Sequence, residues 1–92
     1  MILLVEIECI IYDTHSLKQK RAVLQRIITR IQNKFNIAIS EVEYQDLWQR
    51  TKLGLVTISS NKVQSERVIQ QALALVDSFP EIERTMTNME WL

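Results

Sequence analysis

Residues 2–12, ILLVEIECIIY, are followed by a three-residue polar break and then by residues 16–35, SLKQKRAVLQRIITRIQNKF. The first segment alternates with a period of two and is rich in β-branched residues, which predicts a strand. In the second segment, apolar residues recur at helical spacing behind Ser16, a residue type that caps helices. This change of period predicts a strand and then a helix over residues 17–34.

The rest of the chain repeats the pattern. We expect a strand over residues 37–44 with a bulge near Glu41, a polar connector over 45–52, a strand over 53–59, a helix capped by Asn61 and stopped by Pro80, and a last strand over 82–91. This order predicts a single α+β domain over residues 1–92, a ferredoxin-like βαββαβ sandwich. Its four-stranded antiparallel sheet has both helices on one face, with the first and third strands in the centre.

The composition excludes several classes of protein. Eleven basic and eleven acidic residues give a formal net charge of zero, with one Gly, one Pro and one Cys. A single cysteine excludes a disulfide framework and a cysteine-rich zinc site, and a single glycine excludes a glycine-rich phosphate loop. The apolar opening segment is interrupted by Glu6 and Glu8, so we expect neither a targeting signal nor a membrane span, and a cytoplasmic location.

No arrangement of residues typical of catalysis is visible. Glu6 and Glu8 share one face of the first strand, where pairing with neighbouring cations is the more common outcome than metal binding or acid–base chemistry. His15 is the only histidine, and Cys9 falls on the apolar face of its strand. We therefore predict a protein that is not an enzyme and has no metal or cofactor.

Charge is unevenly distributed along the chain. Between Ser16 and Ser40 there are six cations and no acid. A helix with this charge attracts phosphate groups, so we predict contact with nucleic acid without readout of a DNA sequence; a solvated helix surface is the alternative. The predicted phosphate contacts are Lys18, Lys20, Arg21, Arg26 and Arg30, with Arg50 adding to the same surface. An RNA-recognition module of the usual kind is excluded, because the third strand has no aromatic ring for base stacking.

A second group of residues favours self-association. Apolar side chains are expected on the sheet face away from the helices, and two tryptophans fall outside both helices: Ile2, Leu4, Ile10, Tyr12, Trp48 and Trp91. Such residues complete a small core or form a patch between two copies of the chain, and we expect a homodimer.

Four segments of the chain resemble the YlxP-like family of small bacterial proteins: HSLKQKR at 15–21, KFNIAI at 34–39, QDLWQR at 45–50 and SSN at 59–61. The SLK piece at 16–18 and the DLWQR piece at 46–50 are distinctive, and the family-motif positions are His15, Ser16, Leu17, Asp46, Trp48 and Gln49. The resemblance implies a ferredoxin-like fold and a bacterial cytoplasmic protein, and it supplies no catalytic residue. Genes of this family often lie between those for translation initiation factor two and ribosome-binding factor A, which hints at translation or ribosome assembly.

Two functions follow from these observations. The first is a non-enzymatic domain associated with RNA or the ribosome, with ribosomal RNA or a ribosomal subunit as its partner and the first helix as its contact surface. The second is a homodimeric protein-interaction or ligand-sensing module, with Trp48 and residues 46–50 near a groove.

Overall fold

The computed structural model describes residues 1–92, and the six predicted elements follow one another in the predicted order. Their bounds are β1 (Ile2–Ile11), α1 (Leu17–Lys34), β2 (Ile37–Glu43), β3 (Arg50–Ile58), α2 (Lys62–Asp77) and β4 (Ile82–Trp91). All strand pairings are antiparallel, and the sheet order β2-β3-β1-β4 puts β1 and β3 in the centre. The βαββαβ prediction and the prediction of the central strands are confirmed.

The core lies between the helices and one face of the sheet. Alternate residues of β1 are fully buried there, from Leu3 to Ile11. The helices cover this face with apolar stripes: Leu24, Ile27 and Ile31 from α1, and Ile69, Ala72 and Val76 from α2. The opposite face, here called the outer face, has no helix over it. Neither helix has the length and apolar character that would let it cross a membrane.

Both helices begin at the predicted capping residues. The Oγ of Ser16 accepts a hydrogen bond from the N–H of Gln19 at 3.1 Å, and the Oδ1 of Asn61 accepts one from Gln64 at 2.8 Å. Each bond satisfies a backbone donor that the first helical turn leaves unpaired. The Gln19 side chain accepts from the N–H of His15 at 2.7 Å, one residue before the cap, so the reciprocal bond also fixes the entry to α1.

The third strand begins earlier than predicted. β3 starts at Arg50 instead of Leu53, because residues 50–52 pair in register with residues 8–10 of β1. Their polar side chains indicated a connector, yet their backbone groups belong to the sheet and Thr51 is fully buried. Pairing with a central strand therefore overrides the local polar composition here.

The bulge predicted near Glu41 is present. The register between β2 and β3 shifts between Glu41 and Glu43, leaving Val42 as the extra residue. Val42 fills space that a side chain at Gly54 would need, since a Cβ on Gly54 would lie 3.1 Å from Cγ1 of Val42. The only glycine of the chain thus makes room for the bulge in a central strand.

Candidate functional site

Five cations of α1 lie exposed along its solvent side and together form what we call the α1 cation face: Lys18, Arg21, Arg26, Arg30 and Lys34. α1 contains no acidic residue that would pair with them along the helix. Of the five, only Arg26 forms a salt bridge. The α1 cation face therefore presents mostly uncompensated positive charge to solvent.

Lys20 does not belong to this surface, and the prediction that it contacts phosphate is wrong. Its side chain is 1% exposed, and its Nζ lies 2.8 Å from Oε2 of Glu41 and 2.6 Å from the carbonyl oxygen of Tyr44. Lys20 precedes Leu24 by four residues, which places it on the buried stripe of α1. A buried ammonium needs such partners to offset its lost hydration, so Lys20 is a structural residue.

Arg26 and Arg30 occupy the middle of the α1 cation face. Arg26 forms its salt bridge with Glu81, and this hydrogen bond holds the pKa of Glu81 below its ordinary value. The guanidinium of Arg30 lies 5.1 Å from the centroid of the Phe79 ring. Both arginines line a shallow depression of about 300 Å³ together with Gln25 and Thr29. Arg30 keeps its charge free, whereas part of the charge of Arg26 is already compensated.

Arg50 also lies away from the predicted surface. It pairs with Ile10 on the outer face, opposite α1, and its Nη2 lies 2.8 Å from Oε1 of Glu8. Its guanidinium carbon is 4.2 Å from the centroid of the Tyr44 ring. The expectation that Arg50 extends the basic surface of the first helix is therefore wrong, because the sheet separates the two.

The two carboxylates of β1 pair with cations on the neighbouring strand. Glu8 contacts Arg50, and Oε2 of Glu6 lies 3.8 Å from Nζ of Lys52. Lys52 also lies 3.6 Å from Oε2 of Glu43 on β2. These cross-strand pairs account for Glu6, Glu8 and Glu43 as structural pairs.

Tyr44 is a structural residue beside the site that the sequence pattern does not reveal. It has a positive φ of 65°, unusual for a residue with a bulky side chain. Its hydroxyl is the largest cause that lowers the pKa of Glu8, with the Arg50 guanidinium a further cause. Its carbonyl accepts the bond from Lys20. Tyr44 therefore anchors the start of the connector between β2 and β3 from two sides.

This connector and the start of α1 enclose an open groove of about 620 Å³, lined by His15, Asp46, Leu47, Trp48, Gln49 and Arg50. Two of the segments that carry the family resemblance, residues 15–21 and 45–50, meet here although they are distant in sequence. Gln49 attaches the second segment to the residues that precede the first one, since its Nε2 donates to the carbonyl oxygen of Thr14 at 3.2 Å and its carbonyl accepts from the N–H of Ile11 at 3.0 Å. Trp48 and Leu47 are half exposed at the rim.

Two of the motif residues, and the single cysteine, contribute to the fold instead of to a site. Ser16 caps α1, and Leu17 is partly buried in its first turn. Cys9 is fully buried, and burial raises the pKa of its thiol to about 12. A thiol held in its neutral form is a poor nucleophile, so Cys9 contributes packing to the core.

The residues predicted to form a dimer patch do not lie together. Ile2 and Leu4 lie at one end of the outer face of β1, and Ile10 lies towards the other end, beyond the charged Glu6 and Glu8. The hydroxyl of Tyr12 donates to Glu83 at 2.7 Å. Trp91 pairs with Leu3 and so lies on the helix side of the sheet, and Trp48 belongs to the groove. The structure separates this group into three regions.

Comparison with solved structures supports the fold. The chain is similar to the solution NMR structure of the de novo designed protein LFR1 1 with ferredoxin fold, with a TM-score of 0.59 and 13% sequence identity. The similarity covers 100% of this chain and 87% of the designed one. At this identity the similarity concerns architecture alone, and it confirms the ferredoxin-like prediction.

Residues 2–89 match the family described as "Protein of unknown function (DUF503)". The chain belongs to the DUF503 family. It is also 63% identical over 91 residues to "Uncharacterized protein YlxP" of Bacillus subtilis (strain 168), covering 99% of both chains. The resemblance to YlxP-like proteins is thereby confirmed, and the groove and the α1 cation face stand as the candidate sites of this DUF503 member.

Proposed function

We propose that this DUF503-family protein is a cytoplasmic, non-enzymatic protein that associates with RNA, with a ribosomal subunit as its partner. The α1 cation face supports this proposal, because it holds five exposed cations and only one internal salt bridge. Positive charge of this kind binds phosphates through Coulomb attraction and release of counterions, without reading bases.

The structure revises the set of residues that would contact phosphate. Lys18, Arg21 and Arg30 are exposed and form no salt bridge, and they lie along a helix that rises about 1.5 Å per residue. Lys18 lies opposite the buried stripe, and Arg21 and Arg30, nine residues apart, lie on opposite flanks of the helix. An RNA strand that contacts all three would therefore cross the helix over about 18 Å of its axis. Arg26 would contribute less, because binding RNA would compete with Glu81.

Co-sedimentation with purified bacterial ribosomal subunits at low and moderate salt tests the proposal. Lys18→Glu/Arg21→Glu should abolish association at low salt, since it replaces two attractive charges with two repulsive ones. The matched control is Arg67→Glu on α2, compared with Arg21→Glu alone, because both single variants make the same change in net charge. Circular dichroism confirms that each variant is folded.

Removing one cation that binds phosphate should also lower the slope of log affinity against log salt by about 0.7 to 0.9. The milder variant Lys18→Gln/Arg21→Gln removes two such cations and should retain measurable binding, so its slope should fall by about 1.4 to 1.8. Absence of association at low salt, or an equal loss of association in the α2 control, would overturn the assignment to the α1 cation face.

The groove supports a second candidate function, the recognition of a small planar ligand. Trp48 is 52% exposed and lines the groove with His15 and Asp46, so a flat apolar group would find a stacking surface beside polar groups. In a Trp91→Phe background, Trp48 is the only tryptophan, and its fluorescence reports occupation of the groove. Titration with nucleosides should quench this emission, independently of salt; an unchanged spectrum at millimolar nucleoside would remove this candidate.

A further inference from the structure

The C-terminal half of β4 carries apolar side chains that the helices leave partly exposed. Met89 and Trp91 pair with Val5 and Leu3, so they lie on the helix side of the sheet. Val5 and Leu3 are essentially fully buried, whereas Met89 is 45% and Trp91 37% exposed. The helix layer therefore covers this edge of the sheet only in part: Nζ of Lys62 on α2 lies 5.2 Å from the centroid of the Trp91 ring, and both apolar side chains keep more than a third of their surface in solvent.

The backbone of this segment is also open. The N–H of Leu92 donates to the carbonyl oxygen of Ile2 at 3.0 Å. Backbone groups of successive residues in a strand point alternately to its two sides, so the groups of Thr87, Met89 and Trp91 point away from β1. β4 is an edge strand, and these groups have no strand to pair with.

The other edge of the sheet is built differently. β2 has seven residues, is interrupted by the Val42 bulge and ends in acidic positions, all of which are features that protect an edge from pairing. β4 has ten residues and its own register shift, which leaves Thr85 unpaired. Beyond this shift, the six residues from Met86 to Trp91 pair regularly with β1 and contain no Lys, no Pro and one acidic residue, Glu90. This regular segment is better suited to accept another strand than β2 is.

We propose that a second copy of this chain pairs with β4 in antiparallel orientation, about a two-fold axis at Met89. In this register Met89 faces Met89, and Thr87 faces Trp91 of the second copy. These are the residues with open backbone groups, so each facing pair exchanges two N–H···O hydrogen bonds. The result is a continuous eight-stranded sheet, formed on a different surface from the α1 cation face and independent of RNA association.

In this register the β4 side chains of one copy are complementary to those of the second copy. On the helix side the two Met89 side chains meet, and Trp91 covers Thr87 of the other copy. On the outer face Asn88 faces Glu90, and Met86 faces Leu92. No two like charges oppose each other, and the exposed apolar side chains of β4 all face a partner residue. This self-complementarity identifies the occupant as a second copy of the chain.

Sedimentation equilibrium at micromolar concentration tests the proposal. The natural chain should give twice its 10.8 kDa mass. Met89→Lys places two ammonium groups opposite each other at the axis and should yield monomers, as should Met89→Glu. An equimolar mixture of the two variants should recover the doubled mass, because opposite charges then face each other. The matched control is Ala38→Lys on the β2 edge, which should remain a dimer.

Cross-linking of folded cysteine variants, which adds no charge to β4, complements these measurements. Met89→Cys introduces the only accessible thiol, since Cys9 is buried. A short bis-maleimide should join two copies through position 89, whereas Ala38→Cys should give no covalent dimer. A monomeric natural chain, a dimer insensitive to both Met89 variants, or failure of the mixture to recover dimers would overturn the proposed pairing.

Discussion

The Nζ of Lys20 on α1 lies 2.8 Å from Oε2 of Glu41 on β2, and this pair joins the first helix to the edge of the sheet. Two further bonds complete the cluster: the carbonyl of Tyr44 accepts from Lys20, and Thr51 donates to Glu41 at 2.6 Å. Every polar group of the cluster thus has a partner where α1, β2 and β3 meet. Its role in folding can therefore be tested separately from the role in RNA binding that is proposed for the α1 cation face.

Lys20→Met should destabilise the fold by about 2 to 4 kcal/mol, because it leaves the carboxylate of Glu41 without its cation in a largely buried place. Lys20→Met/Glu41→Leu should recover much of this loss, since neither charge is then left alone. Urea unfolding measures both values. Lys18→Met on the exposed side of the same helix is the control and should change stability by less than about 0.5 kcal/mol. An equal effect of Lys18→Met and Lys20→Met would contradict the structural role.

Gly54→Ala should interact energetically with Val42. In the natural chain the added methyl group would crowd Cγ1 of Val42, whereas in a Val42→Ala background that space is free. The effect of Gly54→Ala on the free energy of unfolding should therefore be more favourable by at least about 0.5 kcal/mol in the Val42→Ala background. A double-mutant cycle in urea measures this coupling, and additive effects would show that the bulge does not constrain Gly54.

Cys9 should be inert in the native protein. At pH 8 its thiol should fail to react with Ellman's reagent, because burial raises its pKa to about 12, and it should react fully once urea unfolds the chain. Rapid reaction without denaturant would mean that the core around β1 opens.

The same raised pKa gives an alkaline prediction for stability. Above pH 9 the thiol loses its proton only in the unfolded chain, so the unfolded state binds fewer protons and stability falls as pH rises. The decline from this group is at most about 1.4 kcal/mol per pH unit and ends near the folded pKa. Cys9→Ala should remove this component when the pH profiles of the two proteins are compared.

Glu8 should titrate below its ordinary pKa, with Tyr44 as the main cause. Tyr44→Phe removes the hydroxyl donor and should raise the pKa of Glu8, as followed by the chemical shift of its carboxyl carbon. Tyr12→Phe, which removes a hydroxyl bonded to Glu83, is the control and should leave Glu8 unchanged. Since the folded pKa is lowered, this contribution to stability is present above the unfolded pKa of Glu8 and is lost as pH falls through the folded value.

Periodicity and capping residues are enough to predict the fold. α1 and β4 have the predicted bounds, because their apolar spacing, capping residues and flanking breaks agree with the tertiary structure. The Val42 bulge is detectable from the sequence because it interrupts the alternation of apolar and polar residues around Glu41. Where local composition and pairing disagree, as at residues 50–52, the sequence pattern fails.

The site is harder to predict, because composition does not show in which direction a side chain points. Charge alone groups Lys20 with its neighbours, although its spacing of 4, 7 and 11 residues to Leu24, Ile27 and Ile31 places it on the buried stripe. Arg50 is predicted on the wrong face because its strand begins three residues earlier than its polar side chains indicate. Tyr44 carries no signal in a single sequence, since its role depends on a positive φ that its residue type does not favour.

The Val42 bulge also limits how large an assembly this sheet can form. A sheet that is open at both edges adds copies on each side and can grow into a fibre. In the proposed dimer, the bulge and the acidic end of β2 would leave no edge open for further pairing, so assembly through β4 would stop at two copies. A substitution that restored regular pairing along β2 would allow such dimers to join through their β2 edges into filaments. The bulge in β2 would thus protect the protein from edge-to-edge aggregation.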